Sequence, residues 1–173
     1  DSDLLVQIQA WKAAKANRYD LGFCREMGIY GRTARQVEQI ASQILDCAKY
    51  ADIACRQSSE VPESSIEKSI LAGFPDRVCR RLDHGTLRCE MTGQVRGSLA
   101  RESKARDASL LVACEITEIG HQRGDVTVVF GLCSEIKEEW LKELYPKEFE
   151  SGKETVFDEK KKRVVERIFT RYR

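Results

Sequence analysis

The spacing of apolar residues changes once along this chain, and that change limits the folds open to it. Ahead of Phe74 apolar side chains recur at helical intervals, whereas after Gly85 they fall in short β-branched runs. Helices first and strands second predict an α+β chain with its junction at residues 76–85.

On the helical side, Leu4, Leu5, Ile8 and Trp11 line one face of a first helix, followed by a Lys-rich polar face at Lys12 and Lys15. Asp20 is suited to cap a short second helix that runs to Met27, and Gly28 and Gly31 break the chain after it. Thr33 is suited to cap a long third helix, in which Val37, Ile40, Ala41, Ile44, Leu45 and Ala48 make an apolar stripe. Arg56 to Glu63 reads as a polar loop. A further helix, capped by Ser64 or Ser65, turns Ile66, Ile70, Leu71 and Phe74 inward and stops or kinks at Pro75.

On the strand side, Thr86–Met91, Ser109–Ile116 and Asp125–Leu132 are bounded by turn residues such as Gly120-His121-Gln122-Arg123-Gly124. A helix over Glu135–Tyr145 ends at Pro146. Glu154–Phe157 and Arg163–Tyr172 then alternate as two strands around the charged turn Asp158-Glu159-Lys160-Lys161.

The chain has 173 residues, room for one domain or two small ones, and 42% of them are hydrophobic, enough for a core. No apolar run approaches the roughly 20 residues of a membrane span, so a soluble cytoplasmic protein is expected. Asp1-Ser2-Asp3-Leu4 lacks the basic and apolar regions of a signal peptide, and the expectation is a piece of a longer chain. The seven cysteines form no Cys-x-x-Cys, and His84 and His121 stand at no zinc-like spacing. Buried, reduced thiols are expected, with no metal.

Catalytic signatures are missing. Gly152-Lys153 is followed by Glu154, and Lys147 stands where a phosphate-binding loop needs glycine. There is no His-Glu-x-x-His and no Gly-x-Ser-x-Gly. The chain carries no catalytic residues that its motifs reveal, and no cofactor is expected on it.

Charge is more informative. The net charge is only +1, but eight Lys or Arg face three acids between Arg77 and Arg106, and seven face Glu166 alone between Lys160 and Arg173. Two basic blocks in a neutral chain predict an oriented surface. In the first block, Arg77, Arg80 and Arg81 sit at the junction. Their planar forks suit phosphate; equally, they could neutralise a helix C-terminus or pair with Asp76 and Asp83. Gly28-Ile29-Tyr30-Gly31 has the spacing of a backbone-clamping loop but no basic residue between its glycines, so a plain helix connection is favoured. Trp11, Tyr19 and Phe23 fall on apolar faces and are expected to pack in the core. Arg163, Arg167, Arg171 and Arg173 along the last strand fit either phosphate contact or protection of a sheet edge.

Leu71-Ala72-Gly73-Phe74-Pro75-Asp76-Arg77-Val78-Cys79-Arg80-Arg81 resembles a signature of bacterial HrpB-type DEAH-box ATP-dependent helicases. Trp11-Lys12, Arg18-Tyr19-Asp20 and Phe23-Cys24-Arg25-Glu26 resemble the helicase-associated region of that family. Leu110–Ile116 and Val156-Phe157-Asp158 with Arg163-Val164 are similar to its later segments. Thr92–Gly97 stands for its Asn-Gly-Arg-Gly turn in a longer form, and Phe23 and Phe157 replace tryptophans.

The resemblance implies a helical, ratchet-like domain over residues 1–78 and an OB-like antiparallel β-barrel with a C-terminal helix and hairpin over 79–173. It implies an accessory region that guides single-stranded RNA or DNA over motor domains elsewhere in the parent chain, where ATP and Mg would act. It also implies Arg77, Arg80, Arg81 and Arg96 as backbone contacts, in a monomer with no membrane association. The alternative is a protein-interaction module that docks on the motor domains or an acidic partner without touching nucleic acid.

Overall fold

The computed structural model describes residues 1–55, 61–120, 126–159 and 162–172, with the backbone alone at Asp158 and Arg167. The chain is α+β, with helices ahead of a closed barrel, a C-terminal helix and a hairpin. It divides into two compact units, one formed by Asp3–Ile66 and the other by Asp1–Ser2 with Glu67–Arg173.

In the helical unit, α1 spans Asp3–Ala16, α2 Leu21–Glu26 and α3 Gly31–Tyr50. Asp20 caps α2 as the sequence predicts, its carboxylate accepting a 2.8 Å hydrogen bond from the Phe23 amide. Thr33 does not cap α3, which starts at Gly31 with Tyr30 before it. The core is small. Ala14, Cys24 and Ala34 are buried, and Trp11, Tyr19, Phe23 and Ile29 pack around them. The indole Nε1 of Trp11 donates to the Ala34 carbonyl at 3.0 Å, tying α1 to the first turn of α3.

The apolar stripe expected on α3 is present, and it faces outward from the helical core. Val37, Ile40, Ile44 and Leu45 are all exposed. Of the α3 residues, Ala34 joins the buried cluster, while Arg35 and Glu38 make polar contacts with Tyr19 and Lys15.

The strand unit is built on β1 (Val78–Arg81), β2 (Arg88–Met91), β3 (Val95–Leu99), β4 (Leu110–Gly120) and β5 (Val126–Glu135). Their order is β1-β2-β3-β5-β4, closed by β1 against β4. All pairs are antiparallel except β3 with β5, which run parallel through Ser98↔Val129 and Leu99↔Phe130. This is the connectivity of an OB-type barrel. Closure needs a glycine at Gly97, where a Cβ would lie 2.6 Å from the Val128 carbonyl oxygen and 2.8 Å from the Phe130 ring.

Small side chains fill the narrow barrel: Cys79, Cys89, Cys133, Ala105, Ala108 and Ala113 surround Leu99, Leu111 and Phe130. Cys24 is buried as well, but Cys47 and Cys55 are exposed, so the thiols are not uniformly internal.

A second cluster covers the outside of β1 and β4, where Val78 and Val112 face each other in register. It holds Leu71 from α4 (Glu63–Gly73), which spans the unit boundary, and Leu141 from α5 (Glu138–Leu144). The hairpin β6 (Phe149–Asp158) and β7 (Arg163–Tyr172) roots there through Phe149 and Tyr172, whose hydroxyl donates to the Pro75 carbonyl at 3.1 Å. Ser2 also belongs to this unit. It bridges Ser134 on β5, the two buried hydroxyls 2.6 Å apart. Among the described residues no helix is long and apolar enough to cross a membrane.

Candidate functional site

Alternation along β1 sends Cys79 into the barrel and Arg80 out of it. Strand register then sets Arg80 opposite Glu90 on β2, and Glu90 opposite Arg96 on β3. One row across three strands therefore reads Arg80–Glu90–Arg96, with neighbouring strands about 4.8 Å apart. Arg80 donates to Glu90 Oε2 from Nε at 3.1 Å and from Nη2 at 2.5 Å, while Arg96 Nε donates to Oε1 at 3.0 Å. The carboxylate side chain is only 14% exposed, but the arginines that flank it are 66% and 76% exposed. The Arg80 hydrogen bonds first, and that of Arg96 second, hold the Glu90 carboxyl below the usual range against the opposing effect of burial.

Arg96 is thus on a strand. The turn the sequence assigns to it is shorter: it occupies Thr92–Gln94, where Gly93 and Gln94 take positive φ of 75° and 65°. The Thr92 hydroxyl anchors that turn to the Asp76 carbonyl.

Arg88 is the residue that sequence reasoning missed. It shares the outer face of β2 with Glu90, two residues away, and lies opposite Ser98. Its Nη2 is 3.1 Å from Asp83 Oδ2. Asp83 organises the β1–β2 loop, accepting from the Gly85 amide at 3.1 Å, the Thr86 amide at 2.7 Å and the Thr86 hydroxyl at 2.9 Å. The Thr86 hydroxyl is the main cause of its lowered pKa, with Arg88 adding to it against burial. Only the strand pairing shows that Arg88 joins Arg80 and Arg96, since 16 positions separate Arg80 from Arg96 in the chain.

Arg77 and Arg81 have other surroundings. Arg77 donates from Nη1 to the Cys114 carbonyl at 2.9 Å and lies 5.1 Å from the centre of the Phe74 ring. Arg81 turns inward beside its register partner Cys89. Its Nε and Nη1 are buried without a hydrogen-bond partner among the described residues. Its charge pulls the Cys89 thiol down, although burial wins and the pKa is raised. Cys79, deeper in the barrel, is pushed up by burial and by Cys89.

The remaining sequence candidates divide. Trp11, Tyr19 and Phe23 pack in the helical core as expected. Between the glycines of Gly28–Gly31, Ile29 joins that core and Tyr30 is exposed. Arg163 and Arg171 are exposed on β7; the turn from His121 to Gly124, Lys160, Lys161 and Arg173 lie outside the described residues, as does the Arg167 side chain. Among the described residues no cluster of His, Cys, Asp or Glu has the form of a metal site.

No protein-family model matches the sequence, and no curated protein matches it. In the solved structures the chain is similar to the E. coli DExH-box NTPase HrpB, at a TM-score of 0.50 and 15% identity. The likeness is one of fold. It covers 67% of this chain and 14% of that protein, so the chain spans a small share of its relative's length.

Proposed function

We propose that this chain is the accessory region of an HrpB-type DEAH-box RNA helicase, guiding single-stranded RNA or DNA toward motor domains elsewhere in the parent. The carrying observation is the exposed row of Arg80 and Arg96 on β1–β3, with Arg88 alongside. The β2–β3 face is the one OB barrels use for oligonucleotides. Arg80, Arg96 and Arg88 would meet phosphates directly. Arg77, fixed to Cys114, and Arg81, inside the barrel, would set the position of β1 from which Arg80 projects. In this reading ATP and Mg act on the motor domains, and the protein works as a cytoplasmic monomer.

The test is anisotropy of labelled single-stranded RNA and DNA across a salt series. Two or three phosphate contacts give a log–log salt slope of about −1.4 to −2.1. Replacing both Arg80 and Arg96 with Glu should abolish binding at low salt; unchanged binding would remove the assignment.

A second reading is favoured by the exposed Val37, Ile40 and Ile44 on α3. Here the chain is an interaction module docking on the parent's motor domains without touching nucleic acid. It would show as motor association that Ile40→Glu with Ile44→Glu breaks and the arginine changes leave intact.

A further inference from the structure

The nucleic-acid reading treats Glu90 as a liability, because a carboxylate among arginines opposes an incoming phosphate. The contacts argue otherwise. A guanidinium carries five N–H donors in a rigid plane, with a side edge at Nε and an end edge at the two terminal nitrogens. Arg80 gives Glu90 its side edge, Nε and Nη2, and Arg96 gives only Nε. Among the described residues, Nη1 remains on both arginines, together with the second hydrogen of Nη2 on Arg80 and all of Nη2 on Arg96. These are the bidentate end edges that suit phosphate oxygens. Glu90 is reached from both sides, is itself mostly covered, and lies between strands whose register fixes it.

We propose that Glu90 is a positioning residue: its carboxylate clamps Arg80 and Arg96 by their side edges and presents both end edges to successive phosphates of one strand. The inference rests on the functional reading above and adds the device that makes a sparse basic face effective. Two opposed effects act at Glu90. Its charge weakens anion binding through a largely aqueous, salt-screened medium. Against that, a free arginine gives up extensive side-chain entropy when it binds, and the clamp removes much of that loss in advance for two of them at once. The second effect is the larger, so removing an acid from a phosphate-binding face weakens the binding.

The experiment uses the full chain with labelled oligothymidylate and oligouridylate over a salt series. Glu90→Ala should lower affinity about fivefold to tenfold, the ordering cost of two rotamer-rich side chains, with the salt slope unchanged because the same phosphates are met. Glu90→Gln, whose amide oxygen still accepts, should fall between Glu90→Ala and the unchanged protein. In a background lacking both guanidiniums, Arg80→Ala with Arg96→Ala, the effect of Glu90→Ala should reverse and strengthen any residual binding. That reversal is one a general loss of fold would not produce. Affinity equal to or above that of the unchanged protein for both Glu90→Ala and Glu90→Gln would overturn the inference while leaving the functional reading in place. Absence of salt-dependent binding by the unchanged protein would overturn the functional reading, and the inference with it.

Discussion

The barrel and the helical unit divide their apolar and charged residues in opposite ways. In the barrel, strand pairing closes on itself and the interior buries Phe130, Leu99 and Leu111, while the outer face of β1–β3 carries Arg80, Arg88, Glu90 and Arg96. In the helical unit Leu5, Ala14, Cys24 and Ala34 are buried, while Val37, Ile40 and Ile44 face solvent. The strand unit displays a charged row on β1–β3, although Ile119, Val126, Phe157, Val164 and Ile168 elsewhere in it are exposed. The other satisfies its polar groups locally, through Trp11 on Ala34 and Tyr19 with Lys15 on Glu38, and displays apolar surface. A closed sheet can therefore spare its outer face for a charged ligand, whereas a long helix over a small core keeps a face suited to protein contact.

The contrast should break most visibly at Phe130. Phe130→Ala should cost the strand unit about 3–5 kcal/mol, since it empties the centre of a rigid barrel. Denaturant unfolding followed by near-UV circular dichroism should show it, and the far-UV signal of the helical unit should change much less. Gly97→Ala should cost about 1–3 kcal/mol, because the added methyl meets the Val128 carbonyl and the Phe130 ring where β3 crosses β5. Its signature is a lowered thermal midpoint with exchange of the β3 amides.

On the helical side, Trp11→Phe removes the hydrogen bond to Ala34 and should cost about 1 kcal/mol, seen in helical ellipticity and not in the barrel. Acid should affect both units. Glu90 and Asp83 in the barrel, and Glu38 in the helices, all have carboxyl pKa values lowered from the ordinary range. Lys15 is the main cause for Glu38, followed by Tyr19. A lowered folded-state pKa gives stability that is complete above the unfolded value of about 4 and is lost as pH falls through the folded one. Glu90→Gln should flatten the acid limb for the barrel alone, and Glu38→Gln for the helices alone. Ile44→Ser should have the smallest effect, within about 0.5 kcal/mol, because the side chain packs on nothing that folding buries. A larger loss would show that α3 is covered and would erase the contrast.

The helical half was legible because its signals are local: Asp20 before Phe23, glycine at 28, aromatics spaced to meet in one core. The long strands β4 and β5 were equally plain from their β-branched runs. Hidden were β1 and β3. Val78–Arg81 is too short to alternate visibly, and Gly97 in Val95–Leu99 looks like a turn until β5 is seen crossing it. The candidate site depends on those two strands. Arg80 and Arg96 stood out as basic residues, but their shared carboxylate and the place of Arg88 beside them follow from register. Likewise, the stripe on α3 was visible as a pattern, and nothing in the pattern said that it would be exposed.

The contact of Ser2 with Ser134 makes the chain more than helices followed by strands. Asp1 and Ser2 lie with the barrel, and the chain rejoins it at Glu67, so residues 3–66 form a compact unit between two segments of the other. Within the barrel's unit the Asp1 nitrogen lies 3.6 Å from Glu67 Oε1, which brings the first residues near the start of the second segment. A short Gly-Ser splice from Ser2 to Glu67 should therefore yield a free-standing barrel. The helices would in turn be a cassette, exchangeable without redrawing the scaffold that carries it.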